Sequence, residues 1–382
     1  MEEIKKSNKG SEEYFDGIVE KIEERQQRVK SGRMNCIPLP FERTSSFFPG
    51  VEKATNTIVT ASSGVGKSKF TRFLYVYYLY SYIKNNPDSD IRAKIFYFSL
   101  EESKERFFLA LISKWLLDNH NVRVGIKELL SIGMKGCYLD DATIELVKQA
   151  REYFVDFTEY VTVIDDVKNP YGFFRIIEDY MLRKGKWEMK TVIREGKEIE
   201  IKDRYIADDP ELYVIGIVDH ISLMQPEKDN GIMMTLHQTM SKWSANYCIY
   251  LRNHYGCSMV NVQQQGAEKE KKQFTMKGSS IDEKLEPSLD GLADNKLTQR
   301  DADVVIGLFA PDRYAIEEYE GYDITKFQDN FRMLLFLKTR DGEANMRTAL
   351  FFDGKSGDFK ELPRIKDVDN MKRVYYYIDK IR

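Results

Sequence analysis

The sequence predicts an α/β fold: a mainly parallel sheet flanked by helices and ending in an antiparallel hairpin. Three observations predict it. Short, almost wholly apolar runs at 57–60, 94–99, 161–164, 213–218, 259–262 and 304–309 recur between longer segments of helical period. A Gly-Lys-Ser loop joins the first run to an aromatic-rich helical stretch, KFTRFLYVYYLYSYI. Two late runs, MLLFLK from Met333 and RTALFFD from Arg347, flank the turn-like TRDGEANM. Strands alternating with helices pair in parallel through crossovers, whereas a short hairpin forces antiparallel pairing at the sheet's edge.

Composition narrows the function classes. The 382 residues, 42% hydrophobic, suffice for one large domain or two ordinary ones with a real core. Against 58 Lys and Arg stand 61 Asp and Glu, a net charge of −3, so no global basic field recruits nucleic acid or an anionic membrane. Any such contact must be local. Cys36, Cys137, Cys248 and Cys257 form no Cys-x-x-Cys pair and have no histidines gathered around them, which argues against a structural zinc site. The charged start MEEIKKSNKGSEE lacks an apolar leader, and no run approaches the ~18 apolar residues of a membrane span. The expected compartment is the reduced cytoplasm, with no membrane partner.

Taken in order, residues 1–10 are polar and expected to be a disordered tail. From Ser11, Tyr14, Phe15, Ile18, Val19, Ile22 and Val29 fall at helical spacing, predicting an amphipathic helix that ends near Ser31 and Gly32. The Pro-rich CIPLPFERTSSFFPGVEK cannot continue it, so 11–45 is a linker helix and connector. A helix with one oily stripe needs a surface to cover, either its own domain or a neighbouring subunit. The main domain then spans 46–364, with a C-terminal tail at 365–382. Within it, 184–211 alternates charged and apolar residues around a Glu-Gly turn and predicts an inserted hairpin. The stretch 266–296 lacks any apolar period and predicts a long loop, which in a compact domain is usually functional.

The loop ASSGVGKS carries the chemistry. A phosphate-binding loop works because successive backbone N–H groups surround an anion at a helix N-terminus. The pattern G-x-x-x-x-G-K-[ST] wants glycine where this chain has Ala61, but that first glycine only eases the turn. Ser63, Gly64, Val65, Gly66, Lys67, Ser68 and Lys69 form the candidate nucleotide-binding set. Lys67 would neutralise β and γ oxygens, and Ser68 would ligate Mg²⁺. Nucleotide binding of this type needs a second element, an apolar strand ending in an aspartate that holds the magnesium shell. Two runs compete: VTVIDD, ending in Asp165 and Asp166, and the longer LYVIGIVDH, ending in Asp219. Pattern alone leaves both open. Hydrolysis also needs a carboxylate to orient water. IFYFSLEES places Glu101 and Glu102 beyond an apolar strand, where α/β sheets bind ligands; Glu102 also suits a helix N-terminus, leaving Glu101 as the catalytic candidate. NVQQQ ends another strand in glutamines able to contact a γ-phosphate.

In this order the motifs resemble the ATPase domain of DnaB-type hexameric replicative helicases, RecA-like motors, from about Cys36 to Leu362. Members commonly begin the phosphate loop with alanine, and this chain has Ala61 there. GRMNCIPLPFERTSSFFPGVEK, with Pro40 and Phe41, is similar to the family's lead-in, and FYFSLEES to its Phe-Ser-Leu-Glu segment. VTVIDD resembles the segment before the magnesium strand, which implies that Asp219 holds the metal. NVQQQ matches the sensor position with Gln264, and RDADVVIGLF matches the Asp-Ala-Asp strand. LKTRDG is similar to the Lys-x-Arg-x-Gly turn, in which the basic pair, here Lys338 and Arg340, reaches the γ-phosphate held by an adjacent subunit.

The resemblance implies an ATP- and Mg²⁺-dependent DNA helicase that translocates 5′ to 3′ on single-stranded DNA and excludes the other strand. It implies a ring, a hexamer, with the linker helix docked on a neighbour, and primase and a helicase loader as further partners. Lys269, Lys271, Lys272 and Lys277, around Phe274, are the candidate DNA contacts in the long loop. The family's N-terminal domain has no counterpart in the residues given, the insertion at 184–211 is unusual, and the sensor loop carries glutamine where many members have serine. A compact version of the kind used in phage replication is expected. Two alternatives share the motifs: a RecA-like recombinase or filament ATPase, which lacks the Asp-Ala-Asp segment and the basic hairpin, and a regulatory ATP-binding subunit, in which decay usually removes a site residue.

Overall fold

Strand pairing places the first apolar run in the middle of the protein. The computed structural model describes residues 2–133, 138–194, 197–266 and 282–381. Nine strands form the central sheet: β1 (Asn56–Ala61), β2 (Arg92–Ser99), β3 (Val161–Ile164), β4 (Leu212–Asp219), β5 (Ser258–Gln264), β6 (Val304–Phe309), β7 (Phe331–Thr339), β8 (Met346–Asp353) and β9 (Asp358–Glu361). Their order is β9-β8-β7-β6-β1-β5-β4-β2-β3. From β6 to β3 every pair is parallel, and from β6 to β9 every pair is antiparallel. This is a RecA-like P-loop core with an antiparallel C-terminal edge. β9 is an addition to the two strands expected there; its four residues are too short to stand out from sequence.

Helices cover both faces. On one, the segment after the phosphate loop runs as Lys67–Arg72, a π-helical turn Phe73–Tyr78, and Leu79–Asn85. Phe70, Leu74, Tyr75, Val76, Leu79 and Tyr80 are all buried there, so the helix is enclosed nearly all round, which its aromatic-rich sequence requires. Phe107 and Phe157, from neighbouring helices, pack on Tyr77 of this segment. On the opposite face Phe173, Ile177, Trp243 and Leu251 close over β2, β4 and β5. A third cluster, with Phe327, Phe331 and Phe351, lies under the antiparallel edge.

The segments outside this core differ from the sequence expectation in two places. Residues 2–10, expected to be a disordered tail, continue the first helix, which spans Glu2–Lys30. That stretch contains no proline, and its Glu and Lys residues are good helix formers. At the other end, most of the expected 365–382 tail is the helix Val368–Ile381. Met371 and Ile378 recur at helical spacing and are buried, while Tyr375 and Tyr377 meet Phe327 and Phe351.

The first helix is tied to the domain at its C-terminal end. Arg28 pairs with Glu211 at 2.6 Å, and Asn35 Nδ2 donates to Arg25 O at 3.1 Å. Beyond it, Ile37–Pro38 pairs antiparallel with Gly50–Val51, burying Ile37, Leu39 and Phe41. Tyr14, Phe15, Ile18 and Ile22 point into solvent, with Tyr14 75% exposed. Strands Gly185–Arg194 and Lys197–Ala207 form an antiparallel ribbon. It is rooted where Trp187 and Tyr205 meet Tyr255, and where Tyr205 donates to Met181 O at 2.6 Å. The last part of the predicted 266–296 loop is structured: Asp282–Leu285 and Leu289–Gly291 are short helical turns, and Leu285 and Leu292 are buried. Among the described residues no helix is long and apolar enough to cross a membrane.

Phe157 is wholly buried and contacts Tyr77, Tyr80 and Tyr153. Truncation there leaves a cavity in the largest cluster. Phe157→Ala is expected to lower unfolding free energy by about 3–5 kcal/mol, read from the urea midpoint at unchanged slope.

Candidate functional site

Strand β1 ends at Ala61, which pairs with Gln264 in the parallel register of β5. Ala61 is therefore a strand residue that needs no positive φ, and the missing glycine costs the loop nothing. The positive dihedrals fall at Gly64 (φ +72°) and Gly66 (φ +108°). A Cβ on Gly66 would stand 3.4 Å from the Phe352 ring. The helix beginning at Lys67 presents its positive end to the loop.

Lys67 is buried and donates to Ser62 O at 3.2 Å, lying back across the loop. Ser68 Oγ donates to Asp219 Oδ1 at 2.9 Å, and the Tyr97 hydroxyl donates to Asp219 Oδ2. Burial, then the Asp219 carboxylate, holds the Tyr97 phenol well above its usual range, so it stays a donor. Two oxygen ligands of the kind Mg²⁺ prefers thus meet beside the loop. The sheet order explains which aspartate arrives. β4 lies one strand from the loop-bearing β1, across β5, whereas β3 is at the far edge. Asp165, after β3, accepts instead from the Lys104 N–H at 2.7 Å.

Glu101 follows β2, the neighbour of β4, and its largely exposed carboxylate lies 4.0 Å from His220 Nε2. Burial lowers the His220 pKa and keeps the ring neutral. Glu102 turns away and pairs at 2.7 Å with Arg72, a buried arginine of the loop helix; the helix N-cap is Ser103. The three glutamines separate by strand alternation. Gln263 donates to Ala293 O and Asn295 O, and Gln265 to Thr60 Oγ1 and Ser288 O. Gln264, on the opposite face, is half-buried, and its side chain makes no hydrogen bond among the described residues.

Lys338 and Arg340 are not brought to the loop of their own chain. β6 runs parallel to β1 with Val304 beside Thr57, and Lys338 and Thr339 pair with Val305 and Val304. The basic pair therefore sits level with the start of β1, separated from the loop by roughly 13 Å of strand. Lys338 donates to Gln299 O at 2.7 Å. Arg340 is half exposed and pairs at 3.1 Å with Asp303, which also receives Arg252 at 2.8 Å and the Asn56 N–H at 2.8 Å. Lys269, Lys271, Lys272 and Lys277 lie outside the described residues.

Several residues of the site escaped sequence reasoning. Arg332, wholly buried in β7, donates to Val65 O at 2.6 Å and stacks on Phe352 with its guanidinium 4.4 Å from the ring centre. Arg313 donates to Ser63 O, and the Tyr314 hydroxyl lies 3.3 Å from Ser62 Oγ. The one available signal was an arginine inside the apolar run FRMLLF. Lys69, which the sequence did place in the nucleotide-binding set, donates to Gly354 O at 2.5 Å, and burial lowers its pKa. It borders a cavity of about 540 Å³ beside the loop helix, walled also by Arg72, Arg106, Lys127 and Lys355.

No protein-family model and no curated protein sequence matches the chain. Solved structures do. The "ATPase Domain of G40P" superposes with a TM-score of 0.60 at 16% identity, covering 92% of this chain and 98% of that one. A structure titled for a DnaB-like replicative helicase and its interactions with primase superposes with a TM-score of 0.60 at 16% identity. It covers 90% of this chain, which spans only 65% of that one. The chain therefore shares the fold of that ATPase domain and of the matching part of the DnaB-like helicase.

Gly66 has a left-handed backbone, while a Cβ there would meet the Phe352 ring only at ordinary contact distance. Gly66→Ala is expected to cost about 1–3 kcal/mol of stability in chemical denaturation without nucleotide, a loss set by backbone strain alone.

Proposed function

We propose that this chain is the motor subunit of a ring-forming, ATP-hydrolysing DNA helicase. The observation that carries the reading is the division of one catalytic set between opposite ends of the sheet. The loop, Ser68, Asp219, Glu101 and Gln264 gather at one end, and Lys338 and Arg340 stand at the other. A head-to-tail assembly of identical chains puts the second end of one subunit against the first end of the next, and it closes into a ring when the rotation allows. The hexamer is part of this proposal. The exposed Tyr14, Phe15, Ile18 and Ile22 supply an apolar stripe for the adjoining subunit to cover.

In this reading the loop amides and Lys67 bind the ATP phosphates, and the cavity beside Lys69 takes the nucleoside end. Ser68 and Asp219 would hold Mg²⁺, whose charge, when bound, offsets that of the phosphate oxygens. Glu101 orients the attacking water and accepts its proton, for which its exposure to the cleft suits it. Gln264 hydrogen-bonds the γ-phosphate and passes its loss along β5 to the following loop, where Lys269, Lys271, Lys272 and Lys277 are the proposed DNA contacts. Arg340 and Lys338 from the next subunit place positive charge where the transferred phosphoryl develops negative charge. Translocation 5′ to 3′ on single-stranded DNA, with the second strand excluded, is part of the same proposal. So are a place in phage-type replication, primase and loader as partners, and location in the cytoplasm.

The test is ATP hydrolysis with and without single-stranded DNA, using wild type mixed in rising proportion with Arg340→Ala. Strong stimulation by DNA, with activity falling faster than the wild-type fraction, is expected of shared sites in a DNA-threaded ring. A proportional, DNA-independent fall would mean that each chain works alone. Strand exchange between homologous duplexes in place of separation of a forked duplex would favour the recombinase reading. Separately, Glu101→Gln is expected to reduce kcat by about 10²–10⁴-fold while nucleotide affinity stays within about threefold of wild type, measured by steady-state hydrolysis and titration.

A further inference from the structure

We propose that Arg332 and Arg313 are positioning residues for nucleotide binding: each turns one carbonyl of the phosphate loop outward and so aims the next amide at the phosphates. The inference rests on the reading of this loop as a nucleotide site.

A trans peptide points its C=O and its N–H in opposite directions. The bonds at 63–64 and 65–66 are trans, so each outward carbonyl fixes an inward amide. Arg313, in the turn Pro311–Tyr314 after β6, donates to Ser63 O, which directs the Gly64 N–H into the loop. Its guanidinium nitrogen lies 3.0 Å from where a Gly64 Cβ would be, so it bears on the loop at that residue. Arg332 donates to Val65 O at 2.6 Å, which directs the Gly66 N–H inward by the same geometry.

Arg332 is a costly way to make one hydrogen bond. Its side chain is wholly buried, and a lone guanidinium there would lose its hydration without return. The return comes from a platform that this chain builds around it. Asp329 O and Phe331 O accept at 2.8 and 2.7 Å, and the exposed Asp329 carboxylate accepts at 2.7 Å. The Phe352 ring underlies the guanidinium, and the same ring meets the loop at Gly66. Arg332 and Phe352 thus grip adjacent loop residues from below, while Arg313 and Tyr314 hold Ser63 and Ser62 from the side. Lysine could not substitute, because a single ammonium cannot span Val65 O, two further carbonyls and a stacking ring at once.

An aimed nest binds phosphate without first ordering itself, so the effect belongs to affinity and not to the chemical step. The experiment measures the Kd of MgADP and of inorganic tripolyphosphate, with KM and kcat for ATP, on the full chain. Wild type, Arg332→Met and Arg313→Ala are compared, with Lys67→Ala as control. Either arginine variant is expected to weaken both ligands about tenfold, or ~1.4 kcal/mol, and to raise KM in step, with kcat at saturation within about twofold. A merely structural role would instead lower kcat with the folded fraction and leave KM alone. That outcome, or wild-type affinity in a variant that keeps the wild-type circular dichroism, overturns the proposal. Arg313 is exposed and its truncation leaves the core intact, so Arg313→Ala decides the matter should Arg332→Met not fold. If Lys67→Ala binds both ligands like wild type, the nucleotide reading itself fails. If Lys67→Ala loses binding while the arginine variants keep it, only this inference fails.

Discussion

A loop that offers its amides to an anion must turn its carbonyls toward the protein, and the rest of this structure is arranged to receive them. Ser62 O takes Lys67, Ser63 O takes Arg313, Val65 O takes Arg332 and Gly66 O takes the Phe70 N–H of the following helix. Two of these donors come from the helix that follows the loop, and two from the distant turn and strand that carry Arg313 and Arg332. Their convergence depends on β1 lying between β5 and β6, with β7 one strand further out. The buried aromatic helix and the antiparallel edge are the walls that hold these donors in place. An unpaired carbonyl in such an enclosed loop would carry a desolvation penalty, so the loop's shape and the packing around it are one requirement.

The same sheet order sets the electrostatics of the cleft. Asp219 arrives on β4 already committed to Ser68 and Tyr97, and Arg72 beneath the loop is neutralised by Glu102. Of these three acids Glu101 has the largely exposed carboxylate, with the neutral His220 ring 4.0 Å away. At the far end Asp303 gathers the Asn56 amide, Arg252 and Arg340, which fixes the start of β1 to the hairpin that bears the basic pair. One strand thus connects the two ends of the sheet, with the phosphate loop at its C-terminus and the Arg340 anchor at its N-terminus. All six residues of that strand are buried.

Much of this was legible in the chain itself. The Gly-Lys-Ser loop, its flanking strand and helix, and the parallel and antiparallel halves of the sheet follow from local period and turn chemistry, which need no distant partner. The terminal helices were less so. Residues 2–10 lack an apolar stripe to announce them, and the helix Val368–Ile381 depends on packing against Phe327 and Phe351. The ribbon at 185–207 shows in its alternation, but its root on Tyr255 does not.

Sequence by itself determined the inventory: a nucleotide-type loop, two candidate aspartates, a run of three glutamines, a basic pair on a hairpin turn. Tertiary structure decided among them. Sheet order brought Asp219 to Ser68 and left Asp165 on a helix amide; strand alternation committed Gln263 and Gln265 to the core and left Gln264 facing the other way. Register put Lys338 and Arg340 at the end of the sheet away from their own loop, and pairing across β6 and β7 delivered Arg332 to Val65. The physical reason is common to all of these. Local period and turn chemistry act between near neighbours in the chain, whereas which strand lies beside which, and in what register, is settled by burial between residues hundreds of positions apart.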